Sequence, residues 1–346
     1  MKFIRVTRIF LVVGSLAGGL LIGEGVSRLC YLIGNSSDHL QRSSDPRILV
    51  EPKPSVTYQS RFGQLVRVNR LGIKGGDVLP PHPDEYRILA VGDSTMAGEY
   101  LSEAERLPDL LAKRIRTETN QKVSVWNAAV GGYNAWQVLG TLETKAGQVQ
   151  PNLVLIGVCA NDYVPFRNKA YQIGDRVFIV GRDGSVAQHF NFLYQRSDLY
   201  KWFYDRIHRF RLSRQIATDG YEAYLKEYPC AIDASSLEKW EILLNQMAQK
   251  SFQMGAEPLF VFFPLHPQVY RGEEALHPDL VSWASKRGYR FIDLTQVFRK
   301  ADPTGMSLYL KQDIVHPNAK AFEIASDSIY RTVPLPVSWL ARKRGS

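Results

Sequence analysis

The sequence is poor in cysteine and lacks the common nucleotide-binding motifs. Only three cysteines, Cys30, Cys159 and Cys230, occur among 346 residues. No two of them have the close spacing of a metal-ligand set. Cys159 falls inside an apolar run that reads as a buried strand, so nothing in the pattern calls for a disulfide framework. The first such run, "YRILAVGD" from Tyr86, continues as "GDSTMAG". It carries neither the GxGxxG fingerprint nor a P-loop lysine, which excludes the common dinucleotide and nucleotide cradles. No internal repeat or low-complexity tract occurs. The net charge of +9 comes from scattered basic residues without a zinc-finger or helix-turn-helix pattern, so no nucleic-acid partner is expected.

An uninterrupted apolar run of the ~20 residues that span a bilayer is also missing. The N-terminal run from Ile9 to Gly23 is shorter, and Glu24 and Arg28 separate it from a second apolar patch, Leu29 to Ile33. Lys2, Arg5 and Arg8 precede it, no convincing small-x-small cleavage site follows, and no lipid-modification box precedes Cys30. Residues 1–34 are therefore expected to act as an uncleaved signal anchor, with Arg28 snorkelling, and the rest of the chain is expected outside the cytoplasm. A cleaved signal, giving a secreted chain, is the alternative. Residues 35–85 are polar and proline-rich and read as a spacer with short edge strands, "LVRVN" among them.

What the chain does have is apolar residue content, 45%, arranged in alternating patterns. Five short continuous runs, "YRILAVGD", "KVSVWNAAV", "NLVLIGVCA", "EPLFVFFPL" and "YRFIDLT", predict strands covered on both faces. Amphipathic stretches at Glu103–Arg116, Ala135–Val149, Leu237–Met254, Pro278–Lys286 and Asn318–Tyr330 predict helices between or after them. The alternation predicts a parallel sheet between helical layers over residues 86–333, followed by a basic tail, 334–346. Residues 163–234 break the pattern. They contain a predicted hairpin, "RVFIVGRDGSVAQ", with its turn near Arg182, Asp183 and Gly184, and a basic, aromatic stretch, "LYKWFYDRIHRFRLSRQ". Leu199, Trp202, Phe203, Ile207 and Phe210 share a face at helical spacing. The insertion is placed to act as a cap.

In an open parallel sheet, ligands bind at the carboxyl ends of the strands. The first strand ends in Asp93-Ser94, the second in "NAAVGGYN" with Gly131 and Gly132, and the third in "CANDY" with Asn161 and Asp162. Before the last helix comes "DIVHPN", with Asp313 and His316. These are the parts of an acyl-transfer site. A serine hydroxyl needs a base, His316; an imidazole needs an orienting carboxylate, and Asp313 stands three residues before it. Pro317 keeps His316 out of the following helix. The backbone N–H of Ser94, a glycine N–H and the Asn161 amide are candidate oxyanion donors. Gly132 is the expected glycine and Gly131 its alternative. Asp93, next to the nucleophile, is expected to fix the loop rather than to serve as the triad acid.

The ordered blocks "GDST", "NAAVGGYN", "CAND" and "DIVHPN" resemble those of the SGNH (GDSL-type) hydrolase superfamily over roughly Asn69 to Val333. Cys159 departs from the glycine common two residues before the asparagine of the third block. The resemblance implies a flavodoxin-like three-layer α/β/α sandwich around a mostly five-stranded parallel sheet. It also implies Ser94 as nucleophile, His316 as base, Asp313 as its orienter, and Gly132 and Asn161 in the oxyanion hole, with no metal or organic cofactor. "VNRLGIKGG" and the N-terminal segment resemble bacterial membrane-tethered members. The expected activity is ester hydrolysis on an acylated glycan or lipid. An O-acyltransferase of cell-surface polysaccharide and a non-catalytic glycan- or lipid-binding scaffold are the alternatives; oligomeric state is open.

Overall fold

The computed structural model describes residues 13–27, 29, 36–37, 39–60, 62–160, 162, 169–173, 176–180, 197, 199–200, 202–203, 206–207, 210–211, 214, 234–271, 278–311 and 313–336. The chain forms two units, residues 39–166 with 225–346, and residues 1–38 with 167–224.

The larger unit is built on five strands: β1 (Glu85–Val91), β2 (Lys122–Asn127), β3 (Leu153–Cys159), β4 (Glu257–Phe263) and β5 (Arg290–Asp293). All neighbours pair in parallel, in the order β2-β1-β3-β4-β5. The helices are α1 (Ser94–Ala97), α2 (Leu107–Thr119), α3 (Ala135–Val149), α4 (Ala234–Gln253), α5 (His266–Arg271), α6 (Pro278–Lys286), α7 (Leu294–Ala301) and α8 (Ala319–Tyr330).

Side chains alternate across each strand, and here both faces are apolar. Leu89, Val91, Val154, Ile156, Phe260 and Phe262 belong to one buried cluster with residues of α3, α4 and α6. Ile88, Ala90, Leu155, Val261 and Phe263 belong to the other, with residues of α2, α7 and α8. That double cover explains why the strands read as continuous apolar runs, and it makes the unit the expected three-layer sandwich.

Two expectations shift in detail. The helix expected from Glu103 begins at Leu107, because Pro108 sits in its first turn and favours a start there. Glu103–Glu105 instead form a 3₁₀ turn closed by a Ser102–Glu105 capping box. Residues 39–85, expected as part of a spacer with short edge strands, do carry short strands and group with the larger unit. They form two antiparallel pairs, Leu40–Arg42 with Val50–Pro52 and Thr57–Gln59 with Leu65–Arg67, and insert Ile48, Val66 and Ile73 into buried positions. Gln137 of α3 donates to the Ile48 carbonyl at 2.9 Å, and Gly140 leaves room for Ile48, since a Cβ there would lie 2.9 Å from Ile48 Cγ1.

In the smaller unit, residues 13–27 are helical. Ser36–Ser37 pair antiparallel with Arg176–Val180, which pair in turn with Lys169–Ile173. The hairpin strand at Arg176–Val180 thus pairs back with the residues before it, and the expected turn at 182–184 lies outside the described residues. The expected membrane helix is not found in its full form. No helix among the described residues is long and apolar enough to cross a membrane, and residues 1–12 of the expected anchor lie outside them, as do Cys30, Cys230 and residues 337–346 of the tail.

Candidate active site

The strand order places a topological switch point between β1 and β3, where connections leave in opposite directions and open a crevice at the carboxyl ends. Ser94 stands there. β1 runs into Gly92, whose φ of 155° and close surroundings exclude a side chain: a Cβ would lie 2.8 Å from Met96 Cβ and 3.2 Å from Gly157 Cα. The glycines let Met96 pack against the sheet and force a sharp turn. Asp93 caps α1, its Oδ1 accepting from Thr95 N at 2.9 Å and from Thr95 Oγ1 at 2.6 Å. Ser94 becomes the first helical residue, half-exposed, with its N–H among those that a helix start leaves without an internal partner. Asp93 is occupied by the cap, and its other oxygen is 3.5 Å from Ser94 Oγ.

Facing this turn is the loop before α8. His316 Nε2 lies 3.0 Å from Ser94 Oγ, and Nδ1 lies 2.7 Å from Asp313 Oδ2. The second oxygen of Asp313 accepts from the backbone N–H groups of Val315 at 2.8 Å and His316 at 3.0 Å. Burial pushes the Asp313 carboxyl up, but these donors and the imidazole outweigh it and hold it below the usual carboxylate range. An ionised Asp313 fixes the imidazole with Nδ1 protonated and Nε2 open toward the serine.

Gly131 is beside the serine, where an added Cβ would lie 3.7 Å from Ser94 Cβ, and Gly132 has a φ of 80° with open space around it. Asn161 lies outside the described residues. Its neighbour Asp162 closes the end of β3, donating its N–H to the Cys159 carbonyl at 3.0 Å and accepting from Cys159 N at 2.7 Å. Burial, with the Asp93 charge adding, pushes the Asp162 carboxyl well above its usual range. Cys159, the departure from the block pattern, is a buried thiol on β3.

A family model described as GDSL-like lipase/acylhydrolase matches residues 90–324. The chain belongs to the GDSL-like lipase/acylhydrolase family. It is an ester-hydrolysing enzyme of the SGNH superfamily. Among solved structures, TesA is 18% identical, with 72% of this chain and 98% of that chain covered and a TM-score of 0.44. The psychrotrophic esterase EstA from Pseudoalteromonas sp. is 17% identical, with 74% and 98% covered and a TM-score of 0.41. A catalytic mutant of Axe2, an acetylxylan esterase from Geobacillus stearothermophilus, is 13% identical, with 73% and 95% covered and a TM-score of 0.43. No curated protein matches the chain.

Two features of this acylhydrolase escaped the sequence reading. The Tyr100 ring packs edge-on against His316 with centroids 4.9 Å apart, and Phe62 meets both rings, 5.9 Å from Tyr100 and 6.5 Å from His316. The Tyr100 hydroxyl is buried with no hydrogen-bond partner among the described residues. The second feature is Lys74, which is buried. Its ammonium donates to the Ala129 carbonyl and lies 3.1 Å from Glu99 Oε1. Burial pushes the Lys74 pKa down while Glu99 opposes that shift. Lys74 therefore ties the residues before Gly131 to those before Tyr100. The only signal in the sequence was the "VNRLGIKGG" block, whose lysine had no evident role without the fold.

Proposed function

We propose that this acylhydrolase cleaves acyl esters through a Ser94–His316–Asp313 triad. The relay from Ser94 Oγ to His316 Nε2 (3.0 Å) and from Nδ1 to Asp313 (2.7 Å) is the observation that carries the reading. Ser94 Oγ attacks the ester carbonyl as its proton passes to Nε2. The tetrahedral oxyanion is held by the N–H groups of Ser94 and Gly132 and by the Asn161 amide, and the imidazolium then protonates the leaving alcohol. Water, deprotonated by the same Nε2, attacks the acyl-enzyme, and the carboxylic acid leaves as Ser94 is restored. The ring wall of Tyr100 and Phe62 holds the imidazole plane between these steps.

The substrate class in this reading is an acylated glycan or lipid outside the cytoplasm. The placement is supported by Lys2, Arg5 and Arg8 ahead of the apolar N-terminal run. The test is hydrolysis of p-nitrophenyl acetate by the full chain and by Ser94→Ala, with fluorophosphonate labelling of both. The wild type turns over and labels, and the variant does neither. Equal hydrolysis by the two proteins overturns the assignment.

A further inference from the structure

The smaller unit exposes apolar surface on two helical segments far apart in sequence. Along residues 13–29, Val13, Leu16, Leu20, Leu21, Ile22, Val26 and Leu29 are each more than half exposed. They point in all directions around a helix axis, a pattern that water does not favour and lipid does. The second segment is helical at residues 199–200, 202–203, 206–207, 210–211 and 214. Trp202, Phe203, Ile207 and Phe210 are 47, 51, 50 and 61% exposed. At helical spacing these four and Arg206, Arg211 and Arg214, also exposed, lie within about 180° of arc. The face is apolar and cationic at once. The Arg206 guanidinium lies 4.9 Å over the Trp202 ring and that of Arg214 lies 5.9 Å over Phe210.

The two segments are fastened together by Glu24. Its carboxylate accepts from the Ser197 hydroxyl at 2.7 Å and from the Leu199 N–H at 3.1 Å, so it caps the start of the second helix. A Cβ on Gly23 would meet Leu199 Cδ2 at 3.1 Å, so glycine permits the close approach. The one carboxylate that interrupts the N-terminal apolar stretch is thus used as a helix cap. The second helix begins beside Glu24, the one acidic residue among residues 13–29.

We infer that the helical residues 199–200, 202–203, 206–207, 210–211 and 214 lie on a bilayer surface containing anionic phospholipid, with Trp202, Phe203, Ile207 and Phe210 among the acyl chains and Arg206, Arg211 and Arg214 at the phosphates. Charge selects this occupant. Residues 199–214 carry five basic side chains, Lys201, Arg206, Arg209, Arg211 and Arg214, against one acidic, Asp205. A basic helix with aromatic anchors matches a negative lipid surface. The inference is independent of the catalytic reading and of whether residues 1–34 cross the bilayer.

The test uses the full chain reconstituted with phosphatidylcholine vesicles, with and without phosphatidylglycerol, each containing a lipid brominated near the headgroup. Tryptophan quenching is compared between the wild type and Trp202→Phe. A quenched component present in the wild type, absent in Trp202→Phe and stronger with phosphatidylglycerol is expected. Combined Arg206→Gln, Arg211→Gln and Arg214→Gln substitution removes the phosphatidylglycerol dependence. Circular dichroism spectra that match the wild type show that each variant is folded. Equal quenching in the wild type and Trp202→Phe overturns the inference, and so does a concentration-dependent dimer that shields Trp202 without vesicles. Carbonate extraction reports separately on the N-terminal anchor: release of the chain removes the anchor and leaves the Trp202 result standing.

Discussion

Replacing Asp313 by asparagine is a sharp test of the proposed triad, because the structure fixes how the new amide must sit. Asp313 Oδ1 accepts two backbone N–H groups, from Val315 and His316. An asparagine NH₂ in that place would set donor against donor, so the amide oxygen stays there and the NH₂ faces His316 Nδ1. Nδ1 must then accept, which moves the ring proton to Nε2, the atom 3.0 Å from Ser94 Oγ. A protonated Nε2 cannot take the serine proton. The wrong tautomer in a Ser-His-Asp triad lowers kcat by about 10⁴, or about 5 kcal/mol in the barrier. The assay is kcat and KM on p-nitrophenyl acetate, with ¹⁵N spectra of the imidazole to read the tautomer. The loss is expected in kcat with KM little changed, since no substrate contact is removed. Asp313 also links the site to acid stability. Its folded pKa is depressed, so its contribution is present above the unfolded value of about 3.9 and is lost as pH falls through the folded one. Asp313→Asn therefore has a shallower acid-unfolding profile than the wild type. A folded Asp313→Asn with kcat within tenfold of wild type would refute the assignment.

Other outcomes follow from the packing. Lys74→Met leaves the Glu99 carboxylate without its buried partner, and urea unfolding should show a loss of about 3–5 kcal/mol. Ile48→Ala should cost about 2–5 kcal/mol in the same measurement; a loss under 0.5 kcal/mol would mean that residues 39–85 are not part of the core. Burial, with the Glu103 charge adding, pushes Asp109 up to about 7. Its raised folded pKa gives stability that is present below about pH 4 and is lost as pH rises through about 7. Asp109→Asn should therefore flatten the melting temperature between pH 4 and 8 and exceed the wild type at pH 8.

Much of the fold was legible because its signals are local. Continuous apolar runs announce strands covered on both faces, and the ends of α3 and α6 fell where their patterns broke, at Asn134 and Gln150 for α3. The Asp313–His316 pairing was legible for the same reason, since three residues of loop bring the two side chains together. The smaller unit was not, because its N-terminal strand and its hairpin come from segments some 140 residues apart and neither has a pattern that names the other. Residues 39–85 read as a spacer because three-residue strands carry too little periodicity to show which side is buried.

The sequence by itself determined the layers, the chemistry available at each strand end and the residue types of the site, since periodicity and side-chain chemistry are properties of short stretches. Tertiary structure alone decided which groups meet. The order β2-β1-β3-β4-β5 brings His316 to Ser94 across 222 positions and sets Tyr100 and Phe62 against the imidazole. Those contacts depend on how the sheet and helices pack as whole bodies, and no short stretch encodes them.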